Sequence, residues 1–413
     1  MSLKLLLKEI LAKQKINVKN FLHYRTLYFS HHSSRTLGKD DVRLAKKWLK
    51  QKDKWLDDSY VKKYETEFAE WNGSKHAFAY MSGREALSAS IYALDLQPGD
   101  EVILPAYTCV VVPNAFKFAG VKIQYADIEL DTYGLDIESV KDAIGPDTKA
   151  ILVHHLYGLV SRDFEKIIKL AQSSGIKIIE DCAHTTGAFY QGRRVGNFGD
   201  VAFYSSEQSK VFNTVQGGLV TTNDEEIRTR LEEHYSKAAV PDDEWVERQL
   251  FTLILYYYKF KHPQRYWLEP LYEHSLGEKK LISTTKGELK QQKPLYYGRR
   301  MTTPVAAIGS NQLKKIDKLN RERRSNAQHW KVWCAENGYP SPIVIEDSVP
   351  VWLRFPVLVE PEKKQNTEWA RKALGVELGV WFVSHLHPSN IDIEGSYPNS
   401  KKAINQCVNL PTL

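Results

Sequence analysis

Cysteine is scarce in this chain, with four residues in 413. Cys109, Cys182, Cys334 and Cys407 stand far apart and form no CxxC pair, so neither a zinc knuckle nor a disulfide scaffold is indicated. A reduced, cytosolic setting fits that usage. Long apolar runs are also missing. No window approaches the roughly eighteen uninterrupted apolar residues of a membrane span, and the Lys/Leu-rich start has no small-residue cleavage site. Internal repeats and low-complexity tracts are absent. The net charge of +7 is modest and diffuse, and neither a helix-turn-helix nor a zinc-finger pattern accompanies it, so no nucleic-acid partner and no metal are expected.

What remains is an ordinary globular composition, 42% hydrophobic and 26% charged, in a chain long enough for two domains. Short apolar runs at 76–80, 101–104, 122–125, 150–154, 177–179, 200–205 and 218–222 alternate, over most of that stretch, with helical patterns. That alternation predicts an α/β fold: a large three-layer domain around a mostly parallel, mixed sheet of about seven strands. The last two strands follow too closely for crossover helices, so part of the sheet is expected to be antiparallel. One long amphipathic helix is predicted over 303–338, and mixed short elements over 348–413 make a smaller C-terminal α+β domain. The expected division is an N-terminal helical extension (1–55), the large domain (56–242), an aromatic and basic insertion (243–300) and the small domain (301–413). The insertion, WVERQLFTLILYYYKFKHPQRYWLEPLYEHSL at its heart, is too interrupted to span a bilayer. A buried helical hairpin, a dimer contact and peripheral membrane contact through 243–297 all stay open.

Two strand ends carry the chemistry. The run at 177–179 leads into Glu180-Asp181, and the run at 200–205 leads into a polar loop that reaches Lys210. Sheets of this kind gather ligands at strand ends. An acid and a lysine are also what pyridoxal phosphate asks of a protein: a partner for the pyridine nitrogen and an amine for the aldehyde carbon. Upstream, the strand at 76–80 passes through Ser82-Gly83-Arg84 into a helix, and a helix N-terminus suits a phosphate. Tyr107 sits at a strand end near a helix start, where core packing and stacking on a flat ring are both open.

These residues belong to an ordered series of blocks. FAEWNGSKHAFAYMSGREAL, PGDEVILPAYTCVVVPNAFKFAG, ILVHHLYGLVSRDFEKIIKLAQSSGIKIIEDCAHTTGA, GRRVGNFGDVAFYSSEQSKVFNTVQGGLVTTND and MTTPVAAIGSNQLKKIDKLNRERR follow one another from about residue 56 to the C-terminus. In that order they resemble the DegT/DnrJ/EryC1/StrS sugar aminotransferases, pyridoxal phosphate enzymes of fold type I with an aspartate-aminotransferase-like architecture. The resemblance implies a transaminase that moves an amino group, with glutamate the expected donor, to a keto-sugar acceptor, most often nucleotide-linked, and that works as a homodimer. It implies that Lys210 carries the cofactor and shuttles the proton, that Asp181 pairs with the ring nitrogen, and that His184 donates to the ring hydroxyl. It places the phosphate on Ser82, Gly83, Arg84 and Ser205 and stacks Tyr107 on the ring. Glu180 is expected to face the other way. Relatives that dehydrate deoxysugars carry His in place of the lysine, so Lys210 favours amination. Three departures stand out. Arg84 occupies a position that is commonly Thr, Gly298-Arg299-Arg300-Met301 stands where Asn-Tyr-Arg-Met is common, and the insertion is long. Gly298 has no amide to offer a neighbouring subunit's phosphate.

Overall fold

The computed structural model describes residues 35–261, 284–294 and 297–413. Seven strands form the central sheet: β1 (His76–Tyr80), β2 (Glu101–Pro105), β3 (Lys122–Ala126), β4 (Thr148–His154), β5 (Lys177–Asp181), β6 (Val201–Ser205) and β7 (Gly218–Thr222). Their order is β1-β7-β6-β5-β4-β2-β3. β7 runs antiparallel to both of its neighbours, and the other pairings are parallel. The mixed sheet of about seven strands expected from the sequence is therefore present, with the antiparallel member where the connections are shortest.

Side chains alternate across each strand, and both faces of the sheet are covered. Ile103, Ile151, Val153, Ile178, Tyr204 and Leu219 join one core. Their neighbours Val102, Leu104, Leu152, Ile179, Phe203 and Val220 join the other. Continuous apolar runs are what a doubly covered sheet requires. The first face carries α2 (Ser59–Asn72), α6 (Phe164–Ser174) and the start of α9 (Thr303–Asn337); the second carries α3 (Gly83–Ala93), α4 (Val111–Phe118) and α7 (Glu225–Lys237). The same alternation separates the two adjacent acids at the end of β5: Glu180 shares a face with Ile178, and Asp181 shares one with Ile179.

The long helix α9 extends over 35 residues and ends at Gly338, whose φ of +73° suits a residue without Cβ. Beyond it, an antiparallel pair, Phe355–Leu358 with Cys407–Leu410, packs with Trp330, Cys334 and Ala370 in a separate small core.

The insertion begins as α8 (Asp243–Lys261). Most of its apolar residues face inward, although Phe251 is exposed. Val246, Leu250, Leu253, Tyr256 and Tyr257 are buried against Trp48 of α1 (Lys39–Trp48), Trp55 and Ile308 of α9. Of the three readings of this stretch, its first third serves packing within the chain, and those side chains are not available to lipid. Among the described residues no helix is long and apolar enough to cross a membrane. The amphipathic helix expected in the first part of the extension, and the basic middle of the insertion at 262–283, lie outside the described residues.

Candidate active site

A cavity of about 390 Å³ opens at the C-terminal ends of β5 and β6, between the sheet and the C-terminal segment. Ser82, Gly83, Arg84, Asp181, His184, Ser205 and Lys210 all line it. Seven of the eight residues proposed from the sequence thus meet at one place, although they are spread over more than 120 positions.

The phosphate end is built from α3 and the end of β6. Ser82 caps α3, its hydroxyl accepting from the Glu85 N–H at 3.3 Å. The N–H groups of Gly83 and Arg84, in the first turn of the helix, have no acceptor among the described residues, and such groups with the helix dipole favour an anion. A Cβ on Gly83 would lie 2.9 Å from the Ser205 Cβ and 3.1 Å from its Oγ. Only glycine lets the helix start come this close to β6. Gly218 plays the same part behind it, since a Cβ there would meet the Ser82 carbonyl oxygen at 2.3 Å. A cradle with free amides and a hydroxyl fits a phosphate.

Opposite lie the three groups suited to the cofactor ring. Asp181 sits at the end of β5, and its Oδ1 accepts from the Ala183 N–H at 3.0 Å. Burial pushes its carboxyl above the usual carboxylate range, against the pull of that N–H and of the Lys210 charge. A cationic ring nitrogen is the partner such a carboxylate lacks. His184 is buried, and burial first, then the charges of Lys210 and Arg354, hold its imidazole well below its ordinary value. The ring is therefore neutral. Its Nδ1 accepts from the Tyr157 N–H at 3.3 Å, which leaves the proton on Nε2, 3.0 Å from the Lys210 Nζ.

The loop that presents Lys210 is held from within. Ser206 and Thr214 share a hydroxyl hydrogen bond of 2.7 Å, the Ser206 N–H donates to the Gly217 carbonyl, and the Lys210 N–H donates to the Glu207 carbonyl. Glu180, one residue before Asp181, turns away and is fully buried. Its carboxylate accepts from the N–H groups of Gly196, Phe198 and Gly199, each at 2.7 Å, so it is a structural anchor, as strand alternation requires.

Tyr107 does not reach the cavity. It is completely buried, its ring packs 4.7 Å from that of Phe382, and its hydroxyl shares a 2.9 Å hydrogen bond with the Tyr157 hydroxyl. β2 ends two residues earlier, and Thr108-Cys109 pairs in parallel with Leu386-His387, which turns Cys109 rather than Tyr107 to the opening. Arg84 contributes its main chain to the cradle, while its guanidinium is ion-paired with Glu288. Gly298 has φ +88° and open space around it.

Sequence reasoning missed the far wall. Trp381, Phe382 and His387 line the cavity from the C-terminal segment, with the Trp381 ring 5.6 Å from the Lys210 Nζ and 5.9 Å from the His184 ring. The density of aromatic and histidine residues in VWFVSHLHP was the available signal. Phe382 and Tyr157 hold φ values of 60° and 57°, the left-handed region that bulky residues rarely adopt. Such strain gathers where surrounding structure imposes it, often at functional sites.

The chain is similar to proteins already known. The chain is 36% identical over 178 residues to the GDP-perosamine synthase of Escherichia coli O157:H7, covering 43% of the chain and 49% of that protein. It is 30% identical over 253 residues to the GDP-perosamine synthase of Caulobacter vibrioides, covering 60% and 66%. The matched part thus spans from about half to about two thirds of these relatives' length. Among solved structures, the S. venezuelae DesV in complex with a ketimine intermediate superimposes with a TM-score of 0.69 at 26% identity, over 91% of the chain and 89% of DesV. The profile of one family matches residues 36–413, nearly the whole chain. The protein belongs to the DegT/DnrJ/EryC1/StrS aminotransferase family.

Proposed function

We propose that the protein is a pyridoxal phosphate-dependent aminotransferase that transfers an amino group, with glutamate as donor, to a nucleotide-linked keto-sugar, and that it acts as a homodimer. One observation carries the reading: Lys210, His184 and Asp181 share a cavity with a helix-start cradle suited to phosphate. The cofactor, when bound, supplies an electron sink and a carbon that holds the amino group between donor and acceptor. The chain's residues supply the rest. The amides of Gly83 and Arg84 and the Ser205 hydroxyl bind the phosphate. Asp181 keeps the ring nitrogen protonated. His184, held neutral, donates through Nε2 to the ring hydroxyl. The Lys210 amine would hold the cofactor and would move a proton at the carbon that exchanges the amine. Trp381 and Phe382 line the wall that faces these groups. The support for the sugar acceptor is kinship with GDP-perosamine synthases.

The purified protein is expected to take up pyridoxal phosphate with a visible absorption band that glutamate bleaches, and to aminate nucleotide keto-sugars. Lys210→Ala is expected to lower that turnover by at least about a thousandfold. Turnover of glutamate and a keto-sugar by Lys210→Ala at the wild-type rate would sink the assignment, as would wild-type protein that never takes up the cofactor.

A further inference from the structure

We propose that residues 284–291 form a strap across the phosphate end of the cavity, and that Glu288 is the positioning residue that fastens it, so that the strap governs cofactor release. The proposal rests on the pyridoxal phosphate reading above. Two peculiarities of the sequence, Arg84 and the long insertion, prove to touch each other. Thr284 lines the cavity beside Ser82, Gly83 and Arg84. A single helical turn follows, Glu288–Lys290, and Glu288 closes it reciprocally with Thr285. The Thr285 N–H donates to the Glu288 Oε2 at 2.9 Å, and the Glu288 N–H donates to the Thr285 hydroxyl at 3.1 Å. The other carboxylate oxygen receives Arg84 Nη1.

The Glu288 side chain is 1% exposed and that of Arg84 14%. A carboxylate this deeply buried is costly unless paired, and removing one partner leaves the other stranded. The pair therefore holds both the strap and the first turn of α3, where the phosphate cradle lies. Further ties join the strap to both sides of the opening. On the α4 side, Asn114 Nδ2 donates to the Glu288 carbonyl at 2.8 Å, and Lys117 Nζ donates to Gln291 Oε1 at 2.9 Å. On the C-terminal side, the Ser389 hydroxyl donates to the Leu289 carbonyl at 3.1 Å, directly after the cavity-lining His387-Pro388. A cofactor seated with its phosphate on α3 leaves only when these ties yield.

The test uses full-length protein loaded with pyridoxal phosphate, diluted into a trap for the free cofactor, with loss of the visible band followed in time. Glu288→Gln is expected to release the cofactor about tenfold faster, the scale of a lost hydrogen bond to a charged group. Ser389→Ala frees the opposite end, leaves Arg84 and Glu288 paired, and is expected to speed release about threefold. Thermal unfolding of the cofactor-free proteins separates this effect from general destabilisation. Release from Glu288→Gln within twofold of wild type overturns the strap. If that variant does not fold, the release rate of Ser389→Ala decides in the same way. Wild-type protein that binds no cofactor overturns the function and the strap together, whereas bound cofactor released at unchanged rates overturns the strap alone.

Discussion

The two walls of the cavity reach it by different routes. On the sheet side, Asp181, His184 and Lys210 sit within thirty residues of one another, at the ends of two adjacent parallel strands whose register is set by local apolar runs. On the facing side, Thr284, Trp381, Phe382 and His387 come from an insertion and a segment near the C-terminus, and they arrive only through long-range contacts. The sheet wall holds the groups that carry charge and protons, while the facing wall supplies cover. Chemistry here is written locally, and enclosure is written globally.

The sharpest probe of the sheet wall is its adjacent pair of acids. Asp181→Asn is expected to leave the fold intact and lower turnover by about a hundredfold, since the ring nitrogen loses its oriented anion. Glu180→Ala is expected to do the opposite. It leaves three N–H groups without their acceptor, costs about 3 kcal/mol or more in the cofactor-free protein, and shows first in thermal unfolding. If both variants lost activity with equal stability, the division between the two strand faces would be wrong.

Two glycines separate the cradle from the covering side more finely. Gly83→Ala is expected to weaken cofactor affinity about tenfold, because the new methyl meets Ser205 at 2.9 Å, in the gap where the phosphate would rest. Gly298→Ala meets no neighbour, but its φ of +88° costs an alanine about 1 kcal/mol of stability. Equilibrium cofactor titration should therefore respond to the first and not the second.

A further effect concerns protons. His184 titrates below its ordinary value of 6.5 in the folded protein. Below that pH the unfolded chain binds a proton that the folded chain refuses, so the cofactor-free protein loses stability as pH falls from about 7.5 to 5.5. The loss approaches about 1.4 kcal/mol per unit below the unfolded value. His154, held at about 4, acts in the same direction. Glu65, raised to about 7, gains stability on acidification and opposes them. His184→Gln should therefore flatten the fall without abolishing it, and chemical denaturation at the two pH values would show this. An unchanged slope would mean that His184 is not the neutral donor described here.

The family blocks, the seven strands, the long helix and the gathering of seven of the eight proposed residues around one cavity were legible because each rests on short-range physics. An apolar run forms a strand, a strand end faces a loop, and Ser-Gly before a helix leaves amides free. Tyr107 was misplaced for a reason of the same kind. A strand end predicts which residues lie near the site, but not which of two neighbours turns inward. The pairing of Thr108-Cys109 with Leu386-His387, nearly three hundred residues away, made that choice. The aromatic insertion was equally ambiguous, because an apolar helical face reads alike whether lipid, a second subunit or the chain's own Trp48 and Trp55 will cover it.

By itself, then, the sequence determined the sheet, the family and the closeness of Lys210, Asp181 and His184 at two strand ends, since periodicity and motif order need no distant partner to be expressed. The tertiary structure alone decided that Arg84 turns to Glu288 rather than to the cradle, that Tyr107 lies beneath the cavity wall, and that Trp381 and Phe382 cover the site. Each of those outcomes depends on which surfaces meet once the chain has closed on itself, and a buried charge or ring takes its orientation from the partner it finds there.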